Sequence, residues 1–444
     1  MICRITSKRT SAFLMIAAMM ILSLTWGAGA VPVEEWNKTF GAYWDEAYSV
    51  QQTPDGGYII EGYTIPYGNG NQSDTWLIKT DAYGDEEWNR TFGVISGIKI
   101  SPTSDGGYML KWWSGQDFRV MKTDANGQEQ WNKTYTKDMA PLGVKKGKYQ
   151  VNSVEETADG GFIYAGFNML SQSTSDWHMR IVKVDVYGNE QWNITSQRSQ
   201  GDIADSAQQT SDGGYIISGA TESGALVLKL DAKGNQQWEK ILGTKGEARA
   251  VLQTSDSGYI ILDNVNSDIS LIKMDATGNE QWNRTFGGQN GDVGFSIQKT
   301  SDDGYILAGY TKSYGAGDRD AWLIKTDAYG NQQWNKEFGG SMIEQAYSVK
   351  ETYDGGYIFA GFTESYGARN GDAWVVKIRD PSTSAAAIES TNTISAIETT
   401  TTVPAIGTTV PDTNKPAEKS TPGFEIIGAM VSVIILFLLM WKRT

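Results

Sequence analysis

The tetrapeptide Asp-Gly-Gly-Tyr, intact or slightly altered, recurs seven times, beginning at Asp55, Asp105, Asp159, Asp212, Asp256, Asp302 and Asp354. The gaps are 50, 54, 53, 44, 46 and 52 residues, a period suited to one small unit repeated as a propeller blade. From Gly294 to Gly340 the unit reads GFSIQKT, SDDG, YILAGYT, KSYGAGDRD, AWLIKT, DAYGNQ and QWNKEFGG. Four short runs rich in Tyr, Ile, Trp and Thr alternate with Gly, Asp and Asn clusters, which predicts four antiparallel strands joined by turns. Helical periodicity is absent.

The two ends of the repeat region complement each other. EEWNKTF, from Glu34 to Phe40, is a fourth strand without its first three, and AWVVKIRD, from Ala373 to Asp380, is a third strand without its fourth. Joining them makes one whole blade. The predicted fold is therefore all-β: a seven-bladed β-propeller over residues 31–380, closed by an amino-terminal strand that completes the last blade and leaves no open sheet edge.

Segments such as KTDAYGDEEWNRTF and KMDATGNEQWNRTF, with an Asp, a Gly turn and a Trp in each unit, resemble the tryptophan-docking repeats of quinoprotein-like propellers. The resemblance implies that Trp36, Trp88, Trp131, Trp192, Trp238, Trp282 and Trp334 pack between neighbouring blades, burying apolar area while each ring N–H seeks a partner. It does not extend to the chemistry of that family. Cys3 is the one cysteine and His178, in DWHMRIVK, the one histidine, so a vicinal cysteine pair is excluded. The histidine reads as structural, and nucleophile-elbow, phosphate-loop and zinc-ligand patterns are missing. The expectation is a protein without catalytic activity and without a resident cofactor.

Residues 1–30 have a basic start, an apolar centre and a small-residue finish at Ala28, Gly29 and Ala30, the pattern of a secretory signal. Residues 381–421 lose the repeat and become rich in Thr, Ser, Ala and Pro, a composition that builds a stalk rather than a core. Residues 422–444 then carry Pro422, Gly423 and Phe424, an apolar run from Ile426 to Trp441, and Lys442 with Arg443. Apolar length and flanking charge read as a carboxyl-terminal membrane anchor with its basic end inside. This tail resembles the PGF-CTERM sorting signal of archaeal surface proteins. That resemblance implies processing by an archaeosortase, lipid attachment, and display on the outer face of an archaeal cell membrane.

Asn37, Asn71, Asn89, Asn132, Asn193 and Asn283 begin Asn-x-Ser/Thr sequons, five of them directly after a repeat tryptophan, on strands expected to be outermost. They are candidate N-glycosylation sites. The net charge of −14 disfavours nucleic acid as a partner.

Two further groups qualify as candidate sites. Asp45, Asp202, Asp292 and Glu344 each stand ten residues before a repeat Asp, with Glu247 one place later. Four such carboxylates at one mouth of the channel would attract a cation such as calcium, or would be solvated surface acids. The connections between second and third strands are long in the first, sixth and seventh units, which are neighbours in a closed ring. Tyr67, Asn69, Asp74, Tyr314, Asp318, Asp320, Tyr366, Asn370 and Asp372 would form one aromatic and acidic patch there. Asp74, Asp320 and Asp372 precede a Trp by two residues and also fit structural turns. The expected function is a surface-anchored propeller binding an envelope protein or glycan, or mediating adhesion. The alternatives are a structural glycoprotein of the envelope lattice and a quinoprotein-like or polysaccharide-active enzyme.

Overall fold

In a computed structural model the chain is an all-β, seven-bladed propeller. It describes residues 31–41, 44–65, 74–94, 101–103, 105–114, 117–135, 148–169, 177–196, 198, 201–243, 245–367 and 371–380. The predicted leader (1–30), stalk (381–421) and sorting tail with Pro422, Gly423 and Phe424 lie outside the described residues, as do Tyr67, Asn69, Asn71 and Asn370.

Strands are numbered in chain order from β1 (Val33–Phe40) to β28 (Asp372–Arg379), and they form seven four-stranded sheets. The innermost strand of each blade is β2 (Asp45–Gln52), β6 (Ser101–Pro102), β10 (Lys148–Glu156), β14 (Ile203–Gln209), β18 (Glu247–Gln253), β22 (Asp292–Lys299) and β26 (Glu344–Glu351). The last sheet has the order β1, β28, β27 (Tyr357–Thr363), β26, so the amino-terminal strand is its outermost member. β1 runs antiparallel to β28, pairing Val33 with Arg379 and Phe40 with Ala373. Trp36 and Phe40 pack against a core shared by Tyr58, Trp76, Ala360 and Val375, which ties the seventh blade to the first. This is the predicted closure.

The meander gives the ring two faces. On one, the turns after first and third strands gather; on the other, the second-to-third loops meet the connections between blades. The chain enters β1 and leaves β28 on the turn face, since Val33 and Arg379 are paired there.

The recurring Asp-Gly-Gly-Tyr does more than turn the chain. Asp302 Oδ1 accepts from Thr300 Oγ1 and from the Gly304 amide, and both its oxygens accept from Lys325 Nζ at 2.9 and 2.7 Å. Lys325 Nζ also donates to the Thr326 carbonyl, so a buried ammonium is fully surrounded by acceptors. The same Lys–Asp pairing recurs as Lys79–Asp55, Lys122–Asp105, Lys183–Asp159, Lys229–Asp212, Lys273–Asp256 and Lys377–Asp354. At Asp105 the donors Lys122, Thr103 and the Gly107 amide outweigh burial and hold the carboxyl down at about 2.

Each docking tryptophan bridges to the next blade. Trp36, Trp192, Trp238 and Trp334 meet Tyr58, Tyr215, Tyr259 and Tyr357 edge to face at 5.4–5.8 Å. Trp88, Trp131 and Trp282 pack at the matching junctions. The glycine of the third turn completes the seat. Gly278 has φ +79°, and a Cβ there would lie 2.9 Å from the Trp238 ring, so both conformation and space demand glycine.

Candidate binding site at the channel mouth

The inner strands flank one another around the ring, and in six of the seven a β-bulge falls at one equivalent place. The register skips a residue between Ala47 and Ser49, Val151 and Ser153, Ala204 and Ser206, Ala248 and Ala250, Gly294 and Ser296, and Ala346 and Ser348. The residues left without a strand partner are Tyr48, Asn152, Asp205, Arg249, Phe295 and Tyr347. The seventh position, in the second blade, lies outside the described residues. A bulge frees one side chain from the ladder and re-aims it. Here the flanking residues are Ala, Gly or Ser, apart from Val151, while the bulge residue differs from blade to blade, so the half of the inner strand nearest the loop face carries a ring of chemically distinct groups.

On one side that ring is aromatic. Tyr63, Tyr48, Tyr347, Phe295 and Tyr310 follow one another with centroid separations of 5.7, 5.2, 5.3 and 5.8 Å. Arg319 closes the arc, its guanidinium 4.9 Å from the Tyr310 centroid. Glu46 accepts from the Tyr63 hydroxyl at 3.0 Å and from Trp44 Nε1 at 3.3 Å. Burial, followed by the Glu46 charge, pushes the Tyr48 and Tyr347 hydroxyls well above the ordinary tyrosine range, so both stay protonated donors.

Across the ring the groups are charged. Asn152 Nδ2 donates to Asp205 Oδ1 at 3.1 Å and to the Ala204 carbonyl at 3.0 Å. Arg249 lies 2.9 Å from Glu247 and 4.0 Å from Asp205. Asp205, with its side chain 7% exposed, is raised to about 7, first by burial and then by the Glu247 charge, with Arg249 and Asn152 opposing. Asp263, 3% exposed, is raised to about 6 mainly by burial. Asp205 Oδ2, Asp263 Oδ1 and Arg249 Nε are buried and have no hydrogen-bond partner within the protein.

The four carboxylates expected to collect a cation have other work. Asp45, Asp202, Asp292 and Glu344 are buried at the head of their inner strands. Their backbone amides donate to the preceding blade's second-to-third connection, at Gly371, Trp177, Ser267 and Arg319. The side chains of Asp202, Asp292 and Glu344 organise adjacent loops. Asp292 accepts from Ser313 Oγ at 2.7 Å and Gly288 N at 2.9 Å, Glu344 from Gly340 N at 2.8 Å and Ser365 N at 3.0 Å, and Asp202 from Arg198 at 3.1 Å. Among the described residues no group of three His, Cys, Asp or Glu is placed to hold a metal ion. Equal spacing identified equivalent positions, but burial in each blade turns them into loop acceptors instead of one shared cluster.

The expected loop patch is also divided. Tyr314 and Tyr366 are 45% and 42% exposed, yet each hydroxyl donates 2.9 Å to a connection carbonyl, at Gly287 and Gly339. Each ring leans on its own blade's Trp322 or Trp374. Asp320 and Asp372 are buried, Asp74 is half-buried and Asp318 is exposed. Asp320 accepts from the Gly317 amide at 3.0 Å, as a turn residue does. His178 sits on a third strand with Nδ1 3.2 Å from the Ser196 carbonyl. Asn37, Asn89, Asn132 and Asn283 are exposed on outermost strands, and Asn193 is half-buried. The amides of Asn37, Asn89, Asn132 and Asn193 donate to a glutamate three residues back. Asn283 instead accepts from Ser270 at 2.7 Å. A separate cleft of about 510 Å³ at the junction of the third and fourth blades is lined by Met179, Ile194, Leu228 and the ion-paired Arg198 and Glu239.

No protein-family profile matches this chain, and no curated protein matches it. Its architecture is shared with solved propellers. A catalytically inactive virginiamycin B lyase from Staphylococcus aureus with quinupristin aligns at 11% identity and a TM-score of 0.51, over 77% of this chain and 98% of that one. A puromycin hydrolase aligns at 11% identity and 0.50, over 76% of this chain and 52% of that one. The WD40 domain of Neurospora crassa Pan2 aligns at 10% identity and 0.47, over 79% and 95%. At such identities the likeness is one of fold.

Proposed function

We propose that this chain is an exported, surface-anchored propeller without catalytic activity that binds an envelope protein or glycan at the mouth of its central channel. The observation that carries the reading is the ring of bulge residues. A repeat that holds its neighbours small and varies one inward position has the form of a scaffold presenting a site. The leader-like and PGF-CTERM-like ends supply the surface placement and an archaeosortase as processing partner.

The test begins with the native envelope. Intact mass and peptide mapping should find residues 1–30 removed, the tail after the stalk replaced by lipid, and glycans on the exposed sequons. An intact, unmodified tail with no surface accessibility to added protease would overturn the placement. The second reading, an enzyme acting on a polysaccharide, is favoured by Asp205, buried beside Asn152 and Arg249: burial and then the Glu247 charge push its carboxyl up to about 7, the range of a general acid or base. Turnover of envelope polysaccharide that Asp205→Asn abolishes would establish it.

A further inference from the structure

We infer that the ligand at the channel mouth is a neutral saccharide chain, a reading that rests on the binding function proposed above and names its chemistry. The buried, unpaired atoms at the charged side of the ring are of both kinds: Asp205 Oδ2 and Asp263 Oδ1 are acceptors, and Arg249 Nε is a donor. Arg319 Nε is a second buried donor without a partner, at the end of the aromatic arc.

These groups sort the candidate ligands. An ammonium compound would serve Asp205 and Asp263 but meet the charges of Arg249 and Arg319, leaving their N–H groups unpaired. A phosphate or carboxylate polymer would serve the arginines but face Glu46, Asp205, Glu247 and Asp263. A hydroxyl group donates once and accepts twice, so a neutral polyol meets both the partly exposed Arg249 and the partly exposed Glu247 of this wall without bringing a charge. The opposite wall supplies what the other face of a sugar ring needs. Tyr48, Tyr347, Phe295 and Tyr310 form a run of aromatic rings, and the three tyrosines are apolar on the body and polar at the tip. Pyranose rings are amphipathic in the same sense, with C–H groups on a face and hydroxyls on the rim.

The experiment uses the full chain, extracted from membranes in detergent, and titrates it by calorimetry with maltohexaose, cellohexaose and a β-1,4-linked N-acetylglucosamine hexamer. Spermidine and a polyphosphate serve as the competing charge classes. Saturable binding of at least one neutral hexamer is expected, with Tyr347→Ala and Arg249→Gln each weakening it tenfold or more. Tyr329→Ala, on the turn face, should leave it unchanged. Thermal melts of all three variants show whether the ring remains folded, and Tyr347→Phe, which keeps the ring, should retain binding within threefold. If none of the hexamers binds, or spermidine or polyphosphate binds more tightly, the saccharide assignment is overturned. The two failures separate cleanly. Retention on native envelope that is lost in Tyr347→Ala while every hexamer fails would leave the binding mouth standing with a protein ligand. Saccharide binding unaffected by Tyr347→Ala and Arg249→Gln would remove the mouth itself.

Discussion

The turn face and the channel mouth are built from the same repeat, yet they treat their polar groups in opposite ways. At the turn face every blade carries the same aspartate with a lysine partner. At the mouth the equivalent position is Tyr48, Asn152, Asp205, Arg249, Phe295 and Tyr347, and several buried polar atoms find no partner. Uniform, satisfied networks are what a repeat needs to close. Varied, unsatisfied ones cost stability and persist where they serve something outside the chain.

The largest expected break concerns closure. Deleting residues 33–40 strips the outer strand from the seventh blade and removes Trp36 and Phe40 from the core they share with the first. Cooperative unfolding by circular dichroism should give way to a broad transition lower by 10 °C or more, roughly what the loss of several kcal/mol does to a domain. An unchanged melt would contradict closure by β1.

Next comes the direct contrast between faces. Lys325→Ala leaves the Thr326 carbonyl and Asp302 without their ammonium, and with Asp302 half exposed the cost should be about 2 kcal/mol by denaturant titration. Tyr347→Phe, which keeps the packed ring and removes only a hydroxyl at the mouth, should cost about 1 kcal/mol or less by the same titration. Equal losses would erase the distinction. Gly278→Ala tests the tryptophan seat and should cost about 1–2 kcal/mol, because it strains a positive φ and crowds Trp238 together.

In pH dependence the two faces have opposite signs. Asp55, Asp105, Asp159, Asp212 and Asp256, held at about 2, contribute stability above the unfolded value of about 4 that is lost as pH falls through about 2, and Asp302 and Asp354 are lowered in the same direction. Asp205 and Asp263 are raised to about 7 and 6, so the folded state holds their protons more tightly than the unfolded chain. Their contribution is present below about 4 and is lost as pH rises towards 7. Melting temperature should decline between pH 4 and 7, and Asp205→Asn with Asp263→Asn should flatten that decline. A slope unchanged in the double variant would argue against raised carboxyls at the mouth.

Blade order, strand bounds and the closing strand were legible because they depend on local rules. Asp-Gly turns, β-branched runs and tryptophans at fixed offsets each act within a few residues. The mouth was harder to read because a bulge interrupts the alternation that reports which face a side chain takes. The acids at 45, 202, 292 and 344 drew attention by equal spacing, yet the channel residue comes three places later, beyond a buried small residue. The signal was present as a small residue, a variable one and then Ser or Ala, repeated at Ala47-Tyr48-Ser49, Ala204-Asp205-Ser206 and Ala346-Tyr347-Ser348. The partners of Asp205 come from other blades, and no local pattern announces them.

Hydroxyl-radical footprinting of the protein in its native envelope, compared with the same protein after extraction and washing, tests the central claim most directly. The account predicts protection of Tyr48, Phe295 and Tyr347 in the envelope, with Tyr83 and Tyr329 on the turn face oxidised equally in both. Protection confined to Tyr83 and Tyr329, with the channel mouth unchanged, would contradict it.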